Sequence, residues 1–289
     1  MRILLLGGSG FIGSHVLSSL RQFPKRFLLQ TASLKSKTDF NFDLTDYKVM
    51  NEFLMSNEFD IIVNATGKIH LEDKLQTPST VMAVNTIGVR NLIKLCAKMS
   101  HKPYLIHLAS ALELFDHRKN FESSYALEKK EGTDAFMNSL KRREIRGICL
   151  RLHNVYGPNQ PNDRFVSSTI SNLMNGQVVK IDYPKRIRDF VFVHDVAYKI
   201  TEVINEIGKH DVKFDYSYEI GTGVGVTIKN AGESIARIMG LVPEQVVLSS
   251  QPIKPDQMPK IVANIQKVFR NPCKTNFEEG IRKMLLERS

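Results

Sequence analysis

A tyrosine, a lysine and a serine near the middle of the chain have types and a spacing suited to acid–base chemistry. Tyr125 and Lys129 are four residues apart, so in a helix they lie on one face. An ammonium group beside a phenol favours the phenolate and brings the tyrosine pKa toward the working range. Ser110 follows a predicted strand, where its hydroxyl can bond the same reacting oxygen. We predict that these three residues move a proton to or from a sugar or alcohol oxygen during hydride transfer.

A glycine-rich segment near the N-terminus has the spacing of a phosphate-binding loop. Three glycines, arranged as GxxGxxG, lie between a predicted strand over residues 2–6 and a predicted helix over 11–21. The first glycine permits a tight turn, the second lets a pyrophosphate approach the backbone, and the third lets helix and strand pack closely. The start of the helix also attracts phosphate. A simple glycine-rich turn is the alternative, but this position favours a dinucleotide site. The candidate cofactor-binding residues are Gly7, Gly10, Phe11, Ile12 and Gly13.

The elements that must position these residues alternate between strand and helix through the first half of the chain. Short apolar runs separated by segments of helical periodicity predict an α/β fold, a doubly wound parallel sheet of the Rossmann type. The predicted strands cover residues 2–6, 27–29, 38–42, 60–63, 104–108 and 145–150, and the predicted helices cover 11–21, 46–57, 81–99, 124–140, 227–239 and 276–287.

The regular alternation of strands and helices ends near Gly157, and after it prolines separate shorter predicted elements. We therefore predict a dinucleotide-binding domain over residues 1–157 and a smaller, irregular C-terminal lobe over 158–289 that mainly binds substrate. Residues 190–193 alternate like a buried strand, so we expect them to return to the first domain and continue its sheet.

Composition and charge limit the class of protein. The chain has 289 residues, 42% hydrophobic and 24% charged, which excludes a disordered tail, a collagen-like chain and a disulfide scaffold. Three widely spaced cysteines indicate reduced thiols, no metal site and a cytoplasmic location. The net charge of +10 indicates a basic surface or an anion-binding cleft. We expect no nucleic acid and no membrane partner, because long basic runs and apolar spans are missing from the sequence.

Together these motifs resemble the extended short-chain dehydrogenase/reductase superfamily, and within it the NAD-dependent epimerase/dehydratase family. The resemblance covers nearly the whole chain. Further motifs in family order are RLHNVYGP at residues 151–158, RDFVFVHD at 188–195 and YEIGTG at 218–223. These motifs are specific for the family and much less so for the substrate.

The resemblance assigns roles to particular residues. Ser110, Tyr125 and Lys129 form its catalytic triad. Arg188 would contact the diphosphate of a nucleotide-linked sugar, and a guanidinium group suits phosphate; a structural salt bridge is the alternative. The family also implies a homodimer that pairs through the helix over residues 81–99 and the helix that bears Tyr125. The implied cofactor contacts are Asp43, Leu44, Ala65, Thr66, Gly67, Asn85, Tyr125 and Lys129, and the implied substrate contacts are Lys68, Ser110, Asn154 and Arg188.

The segment after the second strand departs from the NAD-preferring pattern. Those proteins place an acid there for the ribose 2′-OH, whereas this chain has no acid before Asp39. Ser33, Lys35, Ser36 and Lys37 occur instead, and hydroxyl and ammonium groups suit a 2′-phosphate. We therefore favour NADP(H) as cofactor, with bound NAD(H) and a solvated basic loop as the alternative.

The segment after Ser110 limits the reaction. The family's 4,6-dehydratases carry an Asp-Glu pair directly after the catalytic hydroxyl, where this chain has Ala111 and Leu112. Glu113 comes one residue late and is expected to point elsewhere. The family's epimerase-reductases place a cysteine where this chain has Leu112. A dehydratase and a C3/C5 epimerase are therefore disfavoured.

Two reactions remain: reduction of a 4-keto-6-deoxysugar by NADPH, and 4-epimerisation with retained NAD. The stretch from Ser110 to Tyr125 is short for a 4-epimerase. The C-terminal part most resembles nucleotide-sugar 4-ketoreductases of deoxysugar and lipopolysaccharide biosynthesis, such as CDP-abequose synthase. We favour the reductase, keep the epimerase as the alternative, and leave open a non-enzymatic member of the fold that senses cofactor or binds RNA.

Overall fold

A seven-stranded sheet organises the chain, whose structure is a computed structural model that describes residues 1–34, 38–67, 83–114, 124–209, 215–242, 245–248 and 260–287. The strand order is β3-β2-β1-β4-β5-β6-β11. This order confirms the predicted doubly wound sheet of the Rossmann type. The strands of this sheet are β1 (Arg2–Leu6), β2 (Leu28–Ser33), β3 (Phe40–Asn41), β4 (Ile61–Asn64), β5 (Tyr104–Ser110), β6 (Arg146–Leu152) and β11 (Ser217–Ile220).

Strand β1 lies at the point where the order of the sheet reverses. It pairs in parallel with β2 on one side and with β4 on the other. Its residues Ile3 to Leu6 are all buried, as expected of a central strand covered on both faces. Loops that leave the carboxyl ends of β1 and β4 therefore flank a crevice, which is where ligands bind in such sheets.

Helices follow the strands with side-chain caps where the sequence supplies them. Asp46, Thr227 and Asn276 each accept a hydrogen bond from a first-turn backbone N–H of the helix that follows. Among the described residues, no helix is long and apolar enough to cross a bilayer. The helices are α1 (Phe11–Arg21), α2 (Tyr47–Met55), α3 (Val89–Lys98), α4 (Ser124–Lys141), α5 (Phe165–Met174), α6 (Val193–Ile207), α7 (Ile228–Ile238) and α8 (Phe277–Leu286).

A π-helical turn interrupts the long helix predicted over residues 81–99. Ala83–Gly88 form this turn, and α3 begins directly after it. The π-turn holds one more residue than an α-turn and so rotates the side chains that precede α3. A regular helix over residues 81–99 is predicted to carry Ile87 in one buried apolar stripe with Val84 and Leu95, but Ile87 is 47% exposed, so this part of the prediction is wrong.

The described residues form two compact units. Strand β10 (Phe190–Phe192) lies in the second unit and pairs in parallel with β7 (Asn154–Tyr156) in a two-stranded sheet. It does not continue the large sheet as expected; β11 is the strand beside β6. Alternating apolar residues require burial but do not identify the partner strand. The predicted boundary near residue 157 stays a prediction. The first unit comprises the described residues of Met1–Glu113, Ser123–Arg151 and Ala197–Tyr218, and the second those of Leu114–Glu122, Leu152–Val196 and Glu219–Ser289.

The second unit has a core built around the ring of Tyr156. This ring lies 5.7 Å from the ring of Phe192 and 5.3 Å from that of Phe277, measured between centroids. The tyrosine Oη donates a hydrogen bond of 3.1 Å to the carbonyl oxygen of Phe277. The hydroxyl thus ties β7 to the first residue of α8. The remaining strands of this unit are β8 (Val179–Ile181), β9 (Ile187–Arg188), β12 (Val226–Thr227), β13 (Val246–Leu248) and β14 (Lys260–Ile261).

We expect Tyr156→Phe to lower the free energy of unfolding by about 1 kcal/mol, because it removes one buried hydrogen bond and keeps the ring. Tyr198→Phe is the matched control, since Tyr198 is 60% exposed; its effect should stay within about 0.5 kcal/mol. Urea unfolding followed by circular dichroism measures both. Equal midpoints for the two variants would contradict the role of the hydroxyl.

Candidate active site

The glycine loop brings the ends of β1, β2 and β4 into close backbone contact. Gly7 has a φ of +81° and its N–H donates to the carbonyl oxygen of Ala32 at 2.8 Å. A Cβ on Gly7 would lie 2.8 Å from the carbonyl oxygen of Ala65, and one on Gly13 would overlap that of Gly7. Gly10 caps α1 and has no side chain to occupy the N–H groups of the first turn. This cradle fits a dinucleotide pyrophosphate.

Five of the residues predicted to surround the cofactor follow two strands of the sheet: Asp43 and Leu44 come after β3, and Ala65, Thr66 and Gly67 come after β4. Asp43 accepts a hydrogen bond from the Thr45 N–H at 2.8 Å. Leu44 is buried against Gly88, at the end of the π-helical turn. Thr66 follows β4, and its backbone N–H and hydroxyl both donate to the Asn64 Oδ1, at 3.2 and 2.5 Å.

Gly67 connects the cofactor-side residues with the predicted catalytic lysine. A methyl group on Gly67 would lie 3.4 Å from the Asn85 Oδ1 and 3.7 Å from the Lys129 Nζ. The structure therefore brings together three of the predicted site residues, which come from the loop after β4, the π-helical turn and α4. Lys68, predicted to face the substrate, lies outside the described residues.

The end of β2 carries a group of hydroxyls. The Ser9 Oγ donates to the Ser33 Oγ at 2.8 Å, and the Ser33 Oγ lies 3.3 Å from the Thr38 Oγ1. The carboxylate of Asp39, the first acid after β2, instead accepts from the N–H and the hydroxyl of Thr31, at 2.7 and 2.9 Å. Lys35 lies outside the described residues.

Strand β5 and helix α4 carry the predicted catalytic residues. Ser110 is the last residue of β5, and its Oγ accepts from the Leu112 N–H at 3.3 Å. Lys129 is 5% exposed, and its Nζ donates to the carbonyl oxygen of Leu108 at 2.9 Å. Burial lowers the pKa of Lys129, and the charge of Glu113 opposes that effect. Tyr125 lies one turn earlier on α4 and is half-buried.

Glu113 is a buried member of this site to which the sequence analysis assigned no role. It lies in a short 3-10 turn, Ala111–Leu114, that follows β5 directly. Its Oε1 accepts from the Ser110 N–H and from the Thr133 hydroxyl, both at 3.0 Å. Its Oε2 lies 3.8 Å from the Arg151 Nε. The side chain is thus turned back toward the strand end and is held by three neighbouring elements.

A histidine extends this polar chain through the sheet. The His107 Nε2 lies 3.1 Å from the Thr133 Oγ1, and its Nδ1 lies 3.3 Å from the Asn64 Nδ2. An amide NH₂ can only donate, so Nδ1 is the acceptor and Nε2 carries the proton. Burial, reinforced by the charges of Lys129 and Arg151, lowers the pKa of His107. The imidazole is therefore neutral. No spacing in the sequence indicated this series of hydrogen bonds.

Two of the predicted substrate-binding residues, Asn154 and Arg188, lie in the second unit. Asn154 is exposed, and its N–H donates to the carbonyl oxygen of Asp189. Arg188 is 7% exposed, and its Nη1 donates to the carbonyl oxygen of Ile187 at 2.9 Å. Burial and the nearby charge of Arg186 lower the pKa of Arg188 to about 10. A positive charge in such surroundings gains from an anionic ligand.

Asp189 holds the backbone around Arg188. Its buried carboxylate accepts from the N–H and hydroxyl of Thr222, at 3.0 and 2.6 Å, and from the Gly223 N–H at 2.8 Å. It also accepts from the Ala263 N–H at 3.2 Å. The sequence motif contained this residue without indicating its partners. The carboxylate joins β9 to the YEIGTG turn and to the residues after β14.

A glycine cradle at the switch point of a doubly wound sheet, beside a buried lysine, defines a dinucleotide-binding enzyme of the oxidoreductase type. The chain belongs to the NAD-dependent epimerase/dehydratase family, whose sequence model matches residues 3–221. This confirms the family inferred from the motifs.

Two relatives of the chain have names that describe enzymes acting on nucleotide sugars. It is 25% identical over 238 residues to CDP-abequose synthase of Salmonella typhimurium, covering 79% of this chain and 77% of that protein. It is 25% identical to a trifunctional UDP-glucose 4,6-dehydratase, 3,5-epimerase and UDP-4-keto-L-rhamnose-reductase of Arabidopsis thaliana, covering 98% of this chain but 46% of that protein. The chain thus spans about half the length of the Arabidopsis relative. The NAD complex of Thermus thermophilus UDP-glucose 4-epimerase has the same fold, with a TM-score of 0.81, 21% identity and coverage of 99% and 98%.

We expect Gly13→Ala to weaken binding of a nicotinamide dinucleotide at least about tenfold, because its Cβ overlaps the Gly7 carbonyl and widens the cradle. Ser18→Ala, at an exposed position of the same helix, is the matched control. Isothermal titration calorimetry measures both affinities, and thermal unfolding shows whether each variant is folded. A folded Gly13→Ala variant with the parent's affinity would contradict the assignment.

Proposed function

We propose that the chain uses NADPH to reduce a nucleotide-diphosphate-linked 4-keto-6-deoxysugar at C4. The observation that carries this proposal is the set of side chains at and directly after the end of β5. Ser110, Tyr125 and Lys129 are all present. The two residues directly after Ser110 are Ala111 and Leu112, where a dehydratase would carry acids. The Glu113 carboxylate contacts Ser110, Thr133 and Arg151. Reduction needs one proton donor and a polarised carbonyl, and this set supplies both.

Each residue of the set has a separate task. Bound NADPH supplies the hydride. The Ser110 hydroxyl donates to the C4 oxygen of the substrate and orients the carbonyl. Tyr125 gives its phenolic proton to the alkoxide that forms, and Lys129 favours the resulting phenolate through its positive charge. Lys129 also binds the nicotinamide ribose.

The relatives support the substrate class. CDP-abequose synthase and the Arabidopsis reductase have nucleotide sugars in their names. Arg188 is buried near the charge of Arg186 and suits the diphosphate of such a ligand. Asn154 lies on β7, which pairs with β10, the strand directly after Arg188 and Asp189. The place of such a reaction is deoxysugar or surface-polysaccharide synthesis in the cytoplasm.

The end of β2 supports NADP(H). An acid that binds the ribose 2′-OH must present its carboxylate to the cofactor, whereas Asp39 accepts two hydrogen bonds from Thr31. The hydroxyls of Ser9, Ser33 and Thr38 lie together at this strand end, and a hydroxyl that rotates away from its present acceptor can donate to a phosphate.

We expect NADPH to bind at least about tenfold more tightly than NADH, a difference of about 1.4 kcal/mol. The double change of Lys35 and Lys37 to alanine should erase this margin by removing two positive charges from the sequence that follows β2. Lys25→Ala, in the turn before β2, is the control for loss of a positive charge elsewhere. Calorimetric titration with both cofactors measures the ratio. Equal affinities in the parent protein would refute the preference and favour the epimerase, which retains NAD.

The homodimer stays a proposal, and the structure changes which residues of the helix could form its interface. Val89 and Ile93, two apolar residues of α3, are buried within the chain itself and so are not available for a pairing face. Ile87 is the exposed apolar residue that the π-helical turn places near α3. Pairing through α3 and α4 would cover this side chain.

We expect Tyr125→Phe to lower turnover by about 10² to 10⁴ with little change in substrate affinity, because the hydroxyl acts mainly in the transition state. The assay follows NADPH absorbance with a panel of 4-keto sugars, using Tyr198→Phe as control. In parallel, nucleotide sugars are incubated without added cofactor and tested for the 4-epimer. Epimer formation without net NADPH loss would replace the reductase by the 4-epimerase. Salt-sensitive RNA binding with neither activity would favour the non-enzymatic alternative.

A further inference from the structure

A carboxylate and an ammonium group are buried together beneath the end of β5. Glu113 is 6% exposed, and Lys129 is buried to a similar degree. Burying either charge alone is costly, so a carboxylate and a cation that are buried together stabilise each other's charged form. We therefore expect Glu113 to contribute an electrostatic interaction with Lys129 in addition to its packing in the turn.

Two hydrogen bonds connect this pair to the same strand end. The Lys129 Nζ donates to the carbonyl oxygen of Leu108, and the Glu113 Oε1 accepts from the N–H of Ser110, two residues further along β5. Thr133, one turn after Lys129 on α4, donates to the same Glu113 oxygen. Strand, 3-10 turn and helix are thus held in one arrangement around Ser110.

We propose that Glu113 is a positioning residue of the active site, whose carboxylate fixes the Ser110 backbone and supplies the negative charge that keeps Lys129 an ammonium. The inference rests on the proposed function only for its kinetic consequence. The arrangement of charges does not depend on which sugar is reduced.

The groups that face Glu113 come from three elements. Lys129 and Thr133 lie on α4, and Arg151 and Cys149 lie on β6. From β5, the neutral His107 reaches it through Thr133. Burial raises the pKa of Glu113 above its ordinary value, and the charges of Lys129 and Arg151 and the bonds from Ser110 and Thr133 oppose this rise without cancelling it. Burial raises the pKa of the Cys149 thiol to about 12, so Cys149 adds no negative charge at neutral pH.

Removal of this charge has a defined sign. The negative charge of Glu113 raises the pKa of Lys129 against the lowering effect of burial. Without it, the ammonium loses its proton at a lower pH. A neutral lysine no longer favours the Tyr125 phenolate, so turnover falls at alkaline pH while substrate affinity stays the same.

The test is a titration of Lys129 in the intact protein. Lysine labelled with ¹³C at Cε gives one NMR signal per residue, and the signal missing from Lys129→Arg identifies Lys129. We expect Glu113→Gln to lower the Lys129 pKa by at least about one unit, a tenfold change in its acid dissociation constant. Glu131→Gln removes the same charge from the same helix, two residues from Lys129, and should leave the titration near that of the parent.

The outcomes separate charge from packing. A Lys129 titration in Glu113→Gln that matches the parent's would overturn the proposal, whatever the activity. So would an equal pKa drop in Thr133→Val, which keeps the charge and removes one hydrogen bond. If Glu113→Gln does not fold, Glu113→Asp decides: it retains the charge, and a full-unit drop would refute the role. In the kinetic assay, we expect the fall of kcat at alkaline pH to begin at a lower pH in Glu113→Gln than in the parent, with KM unchanged. If no keto sugar is reduced, the proposed function fails while the NMR titration still decides the role of Glu113.

Discussion

The burial of the Lys129 ammonium is the constraint on which the active-site arrangement depends. A lysine side chain removed from water must find acceptors and negative charge, or lose its proton. The carbonyl oxygen of Leu108 supplies the acceptor, and Glu113 supplies the charge. Leu108 lies near the end of β5 and Glu113 lies in the 3-10 turn that follows it, so the two partners of the lysine flank Ser110 on either side along the chain.

Glu113 in turn requires partners of its own, and these extend the network through the sheet. Its Oε1 accepts from Thr133, Thr133 accepts from His107, and His107 accepts from Asn64. Asn64 uses its other amide atom to accept from Thr66, next to the glycine cradle. A buried network of this kind is most stable when every member is satisfied, which favours one arrangement of side chains over alternatives. Hydrogen bonds therefore couple the end of β5, which carries the predicted catalytic serine, to the end of β4, which precedes predicted cofactor-binding residues.

Sequence reasoning succeeded where the information is local. Three glycines between an apolar run and a helix require a strand–turn–helix, and Gly7 and Gly13 do lie where a Cβ would strike backbone. It failed where tertiary contacts decide. The π-helical turn that exposes Ile87 has no periodic signature, and the apolar alternation of β10 does not identify β7 as its partner. The partners of Glu113 are separated from it by up to 38 residues along the chain, as for Arg151, so only the fold brings them together.

The geometry of Glu113 also bears on the reaction. Spacing alone placed this acid one residue away from the position that the family's dehydratases use. In the structure, strand geometry ends at Ser110, and the following 3-10 turn directs the carboxylate to the Ser110 N–H, Thr133 and Arg151. The Glu113 side chain is buried and its oxygens face these three groups, so it is not placed to protonate a departing hydroxyl. The absence of an Asp-Glu pair at Ala111 and Leu112 is thus not compensated by its neighbour. The described acid–base groups at this strand end suit proton transfer to or from a sugar oxygen, which is the step that accompanies hydride transfer.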